Sequence, residues 1–340
     1  MRNLTFALAL VSSATCALPV AADPLQDAVS RVVVTYIDPA MTAFSDTAHA
    51  LADAAHDDCT APRLRGAYHD TFDAWLRVEP FALSSFDAGG HATAISFWPD
   101  KKGMIPPALS ALIAAEDPVV FTPVDFADVS IAARGLFALE YMLFDPAFAQ
   151  YPQGSYSCAL VQAQTADLAA MADDVDHAWF GPTGFARMLE TAGEDGNPRY
   201  FTPREAVQAL YTTVTASLEH NRGTRLGRPM GSFEKPRPTR AEARRSERSA
   251  RNLIGSLRGV GDLADTLAPD GAPDTVAALD AAIAQITALE DPGFARADDL
   301  GVRFKMEVIQ QRIEAAAHAS ANEIGAALGV AAGFNAGDGD

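Results

Sequence analysis

AARGLFALEYMLFDP, residues 132–146, sets Leu136, Leu139 and Leu143 at spacings of three and four, which one face of an α-helix requires. Asp145-Pro146 stops that helix, and Asp125 is its expected start. Glu140 sits among Phe137, Leu139, Tyr141 and Met142, and a carboxylate on so apolar a helix is costly to bury unless it is paired. Arg134 lies six residues earlier on a different face, so the partner has to come from elsewhere in the chain. Glu140 is then either an acceptor or ligand facing a polar cleft, or a buried ion-pair member that orients two parts of the fold. Gly135, read as a mid-helix glycine, costs about 1 kcal/mol against alanine, so something should pack close to its backbone. Trp98 or Trp75 would suit that role. Phe137 reads as core or cleft lining.

Further helices are marked on both sides. Asp23-Pro24 opens one to about Asp57, and Thr60-Ala61-Pro62 opens a second through Trp75 to about Glu79. Residues 81–107 read as irregular, with Gly89-Gly90 and Trp98-Pro99-Asp100 as breakers. Ser155 caps a long helix to Phe180, ended by Gly181-Pro182. Residues 193–198 are the best linker, followed by a capping box at Thr202–Glu205. A second capping box, Thr239–Glu242, is expected to start a helix to about Leu267. Two more helices follow, Pro273–Glu290 and about Asp298–Leu328. No strand is legible. The fold expected is all-α, two up-and-down helical bundles packed side by side over residues 23–192 and 199–340.

The first 22 residues read as a cleavable signal peptide: Arg2, an apolar core Leu4–Val11, and the small residues Val20-Ala21-Ala22. Ser13–Cys16, SATC, lacks the aliphatic residue usual three before a lipidated cysteine, so lipid anchoring is not expected. No later segment reads as a membrane span. The expected location is the periplasm. Cleavage leaves Cys59 and Cys158, most simply a disulfide in an oxidising compartment; separate thiols or metal ligands are the alternative. The chain of 340 residues carries a net charge of −18, which argues against nucleic-acid binding. Residues 222–251 reverse that sign locally, with ten of the 26 Lys and Arg. Arg240, Arg244, Arg248 and Arg251 would line one helical face, to meet an anionic ligand or the acidic first half.

The glycine and glutamate of GLFALE resemble the GxHxxE signature of the imelysin-like proteins, a periplasmic and cell-surface family once classed as peptidases. Phe137 stands where that pattern has histidine. The resemblance extends to Trp75 in FDAWLRVEPF, to ISFWPDKKG (95–103), RLGRPMG (225–231), RRSERSARN (244–252) and the tail LGVAAGFNAGDGD (328–340). It implies an all-helical two-bundle fold, a site in the cleft between the bundles, export, and a role in acquiring iron or another metal. A His and a Glu three apart on a helix could hold one metal ion, and phenylalanine cannot ligate.

The expected cleft residues are Glu140 as acceptor or ligand, Arg225 as its counter-charge, Trp98 and Trp75 as apolar walls, Asp100, Ser246, and Phe137 closing the pocket. A second metal candidate is His49, Asp53 and His56 on one helix face, for iron or another divalent ion; a solvated acidic face is its bland reading. No HExxH motif, nucleophile elbow or phosphate loop is present. The expected function is metal acquisition, with iron the favoured metal, as a binding or accessory component taking a metal ion or small anion. The rivals are a metal-dependent peptidase and a module docking a periplasmic redox or transport partner through its basic face.

Overall fold

The computed structural model describes residues 23–86 and 90–333. The signal peptide and the last residues of the C-terminal tail lie outside the described residues. The described residues are helical, with only two isolated β-bridges, Ser232 to Lys235 and Pro269 to Gly271. No helix among them is long and apolar enough to cross a membrane.

Helix α1 (Pro24–Val32) is capped by Asp23, whose carboxylate accepts from the Leu25 N–H at 2.9 Å. A short π-helical segment, Val33–Ile37, carries it without a break into α2 (Asp38–Asp57). Helix α3 (Ala61–Ala82) returns antiparallel to it. Short helix α4 (His91–Ile95) interrupts the stretch expected to be irregular, and α5 (Ile105–Ala115) and α6 (Pro123–Phe126) follow it. Helix α7 (Gly135–Phe144) holds GLFALE, and α8 (Tyr156–Phe180) packs on α2. Its cap is the expected one: Ser155 Oγ accepts from the Cys158 N–H. After α9 (Phe185–Glu190), Thr202 caps α10 (Pro203–Glu219). A second π segment, His220–Leu226, leads to the short α11 (Gly227–Met230). Helices α12 (Ser249–Leu267), α13 (Pro273–Thr287) and α14 (Leu300–Ser320) complete the fold.

One apolar core runs through both halves of the sequence. Helices α1 and α3 pack directly on α10 and α12, so the turn near residue 195 does not mark a break in burial. Cys59, between α2 and α3, is bonded to Cys158 at the start of α8, with Cα atoms 5.4 Å apart. The bridge closes a separation of 99 residues, worth about 4–5 kcal/mol in the chain-entropy model.

Two helix starts differ from expectation. The GLFALE helix begins at Gly135 rather than at Asp125. Gly135 is therefore its first residue, with φ +69°, a left-handed conformation that suits glycine. A Cβ there would lie 2.1 Å from the Ala94 carbonyl oxygen and 2.5 Å from that of Ile95. The close neighbour is thus the backbone of α4, not a tryptophan. The other difference is α12, which starts at Ser249, not near Thr239. Residues 241–248 form tight turns, because their polar groups are drawn out of helical register toward buried partners in α7 and the 220–226 segment. Arg240 and Arg244 therefore do not share a helical face with Arg248 and Arg251.

Candidate functional site

Glu140 is buried, with 1% of its surface exposed. The Ser246 backbone N–H and the Ser246 hydroxyl both donate to its Oε1 at 2.9 Å. Burial pushes its carboxyl pKa up, against the opposing pull of the Ser246 hydrogen bonds and the Arg245 charge. The partner does come from a distant part of the chain, as the apolar surroundings of Glu140 require, but it is a hydrogen-bonding serine rather than an opposite charge.

The turn that delivers Ser246 is strained. Ala243 has φ +44° and Glu247 has φ +54°, both in the left-handed region although neither is glycine. Each such residue costs on the order of 1–3 kcal/mol and persists only where its surroundings over-determine it. Here the surroundings are two anchors: Ser246 on Glu140, and the Glu242 carboxylate on Arg225.

A pocket of about 130 Å³ opens beside Glu140. Four of the expected cleft residues line it: Glu140, Phe137, Trp98 and Asp100. Phe137 stacks on Trp98 with centroids 6.3 Å apart and meets Phe72 edge-on at 5.6 Å. Asp100 accepts from the Met104 and Ile105 N–H groups at 2.8 and 3.0 Å, so both its oxygens serve the start of α5. The facing wall is cationic: Arg228, Arg240, Arg244 and Arg245. Arg245 bonds Asp145 at 2.9 Å and lies over the Tyr141 ring, 3.5 Å from its centroid. Arg228 lies over Trp98 at 5.7 Å.

Three expected residues are placed differently. Trp75 is buried against Phe44 and lines a separate cavity of about 290 Å³ that shares Trp98 and Pro99 with the first. Ser246 holds Glu140 without lining the pocket. Arg225 is not the counter-charge of Glu140. It is fully buried and binds Glu79 at 2.5 Å and Glu242 at 2.7 Å, with Asn221 and Ser256 completing its hydrogen bonds. Those two carboxylates hold the guanidinium pKa above its ordinary value despite its burial. In the sequence, Glu79 and Glu242 gave no sign of this role, since they lie 146 and 17 residues from Arg225.

His49 bonds Asp173 at 2.9 Å, away from Asp53 and His56. Among the described residues, no three His, Cys, Asp or Glu side chains gather in a geometry that could hold a metal ion. Of the His49–Asp53–His56 face, His49 is thus engaged with Asp173 on α8.

The basic stretch splits into two. Arg225, Arg245, Arg248 and Arg251 reach carboxylates of the first half, namely Glu79, Asp145 and Asp73. Arg248 also contacts His69 Nδ1 at 2.9 Å. Arg228, Arg240 and Arg244 pair with no carboxylate among the described residues and face the pocket.

The Imelysin family model, named for the M75 peptidases, matches residues 37–322, and the chain belongs to that family. It is similar in fold to the crystal structure of an imelysin-like protein from Psychrobacter arcticum 273-4, with TM-score 0.73 and 17% identity over 94% of this chain and 99% of that one. A second similar fold is that of a Parabacteroides distasonis ATCC 8503 protein described as an iron-regulated protein A precursor, with TM-score 0.72 and 14% identity over 91% and 97% of the two chains. No curated protein matches the chain.

Proposed function

We propose that this chain is an exported binding or accessory component of iron acquisition, with its ligand in the pocket between the 98–103 loop, α7 and the 239–245 turn. One observation carries the reading: Trp98, Asp100, Phe137 and Glu140, drawn from separate segments, meet at one pocket together with residues of the second half. The family membership and the iron-regulated description of one structural relative support the link to iron. Residues 23–192 and 199–340 are the two parts that the pocket joins. Export follows from the leader-like residues 1–22. The Phe137 ring, wedged between Phe72 and Trp98, makes the pocket wall apolar where a ligating side chain would be needed for metal-assisted hydrolysis.

The test is iron uptake under iron limitation in cells lacking the chain. Uptake should fall, return with the wild-type chain, and return only weakly with Glu140→Gln. Unchanged uptake would overturn the iron reading. Peptide cleavage by the purified chain, lost in Glu140→Gln with the fold intact, would replace binding with hydrolysis.

A further inference from the structure

The pocket reverses the sign of the molecule. In a chain of net charge −18, three arginines lie around it without a carboxylate partner among the described residues. Arg240 and Arg244 are exposed, and Arg228 is half-buried. Burial and then the nearby charge of Arg240 hold the Arg228 pKa below its ordinary value, so these two guanidinium groups repel one another. Arg228 Nε is sealed from solvent and has no hydrogen-bond partner among the described residues. Like charges held together beside an unsatisfied donor are costly unless an anion offsets them.

Neither acid of the pocket pairs with these three arginines among the described residues. Both oxygens of Asp100 are taken by backbone N–H groups, and Glu140 is bound to Ser246. A bare iron cation does not fit this lining: Asp100 and Glu140 are its two carboxylates, three of their four oxygens already accept hydrogen bonds, and the facing wall is arginine, where oxygen- and nitrogen-ligated cations need several donors. The donors present match another chemistry. Guanidinium forks bind planar carboxylates in bidentate fashion, and Trp98 with Phe137 forms a flat apolar wall.

We infer that the pocket binds a compact polycarboxylate, free or as the anionic complex of ferric ion, gripped by Arg228, Arg240 and Arg244. The inference rests on the placement of the ligand site proposed above and names the chemistry of its occupant. At about 130 Å³ the pocket is smaller than a drug-sized site, so it takes a small anion or the anionic end of a larger one.

Isothermal titration of the full mature chain at low salt tests this, with citrate, ferric citrate, inorganic phosphate and ferrous ion as separate titrants. Citrate or ferric citrate should bind at micromolar level and weaken as salt is raised. Equal binding of the two identifies the free anion as ligand; binding of the complex alone identifies the chelate. The double variant Arg240→Glu/Arg244→Glu should lower that affinity by about tenfold or more, as removing charge-assisted forks requires. Because both side chains are exposed, its unfolding midpoint should not move. Three results overturn the inference: no binding of either citrate species at millimolar level, binding that the double variant leaves unchanged, or tighter binding of phosphate or ferrous ion than of citrate. Citrate binding without an iron-uptake phenotype would remove the iron reading and leave the polycarboxylate site. An uptake phenotype without citrate binding would do the opposite.

Discussion

Arg225 and Arg228 stand three residues apart, on the consecutive 220–226 segment and α11, and do opposite things. Arg225 is sealed in the core and meets two carboxylates, Glu79 and Glu242. Arg228 is half-buried and meets another arginine across an open pocket. The first arrangement compensates the arginine's charge with two carboxylates and ties α3, the 220–226 segment and the 241–248 turn together. The second is left positive, and a positive cluster held in place by its paired neighbour is suited to recruit an anion. The difference shows how one basic stretch can supply both the clamp that fixes a site and the charge that the site presents.

Breaking the clamp should have the largest effect. Arg225→Ala leaves Glu79 and Glu242 buried without their partner, and one-sided loss of a buried pair costs about 3–5 kcal/mol. Chemical denaturation should show that loss, and titration should show the pocket losing its ligand as well, because Glu242 no longer anchors the turn.

Gly135→Ala tests the support on the opposite wall. It forces a side chain into a left-handed position and against the Ala94 and Ile95 carbonyls, a strain of about 1–3 kcal/mol before any clash is counted. A lower thermal midpoint with Glu140 displaced from Ser246 is expected; an unchanged midpoint would show that α4 yields.

His220 lies between the two arginines' territories, edge-on to Trp98 with centroids 6.2 Å apart. Burial first, and then the Arg225 charge, push its pKa down to about 3. The unfolded chain takes up this proton from about pH 6.5 downward, and the folded chain resists it. Its contribution to stability is therefore full above pH 6.5 and is lost as pH falls toward about 3. Glu140 acts in the opposite direction, since its raised pKa makes its contribution fade as pH rises through and above the ordinary carboxylate range. Denaturation measured from acid to neutral pH should show a His220→Gln variant with a flatter acid limb, and Glu140→Gln should remove the loss on the other side.

Arg240→Glu/Arg244→Glu should have the smallest effect on stability, within about 0.5 kcal/mol, as for exposed positions outside a structural network. If it unfolds the protein as Arg225→Ala does, the contrast between clamp and pocket fails.

Much of the fold was legible beforehand because it rests on local signals. The caps at Asp23, Ser155 and Thr202 act over two or three residues, and each was found where it was read. Ile309 and Ile313 keep the helical spacing of α14, and both are buried. Where local signals competed with distant partners, the reading failed. Thr239–Glu242 has the letters of a capping box, yet Glu242 is drawn to Arg225 and the helix starts later. Gly135 reads as a helix interior because apolar spacing does not reveal φ; only the approach of α4 demands a glycine there.

The sequence by itself determined the helical class, the cysteine pair, the acidic character of the chain and the family resemblance carried by Gly135, Glu140 and the tryptophan segments. Helical periodicity, composition and short motifs are properties of neighbours along the chain. Only the tertiary structure decided which charges meet. It took Arg225 away from Glu140, gave Glu140 to Ser246, and left Arg228, Arg240 and Arg244 around one pocket. Electrostatic pairing depends on separations of a few ångströms between residues 17 to 146 positions apart, and no pattern along the chain encodes that distance.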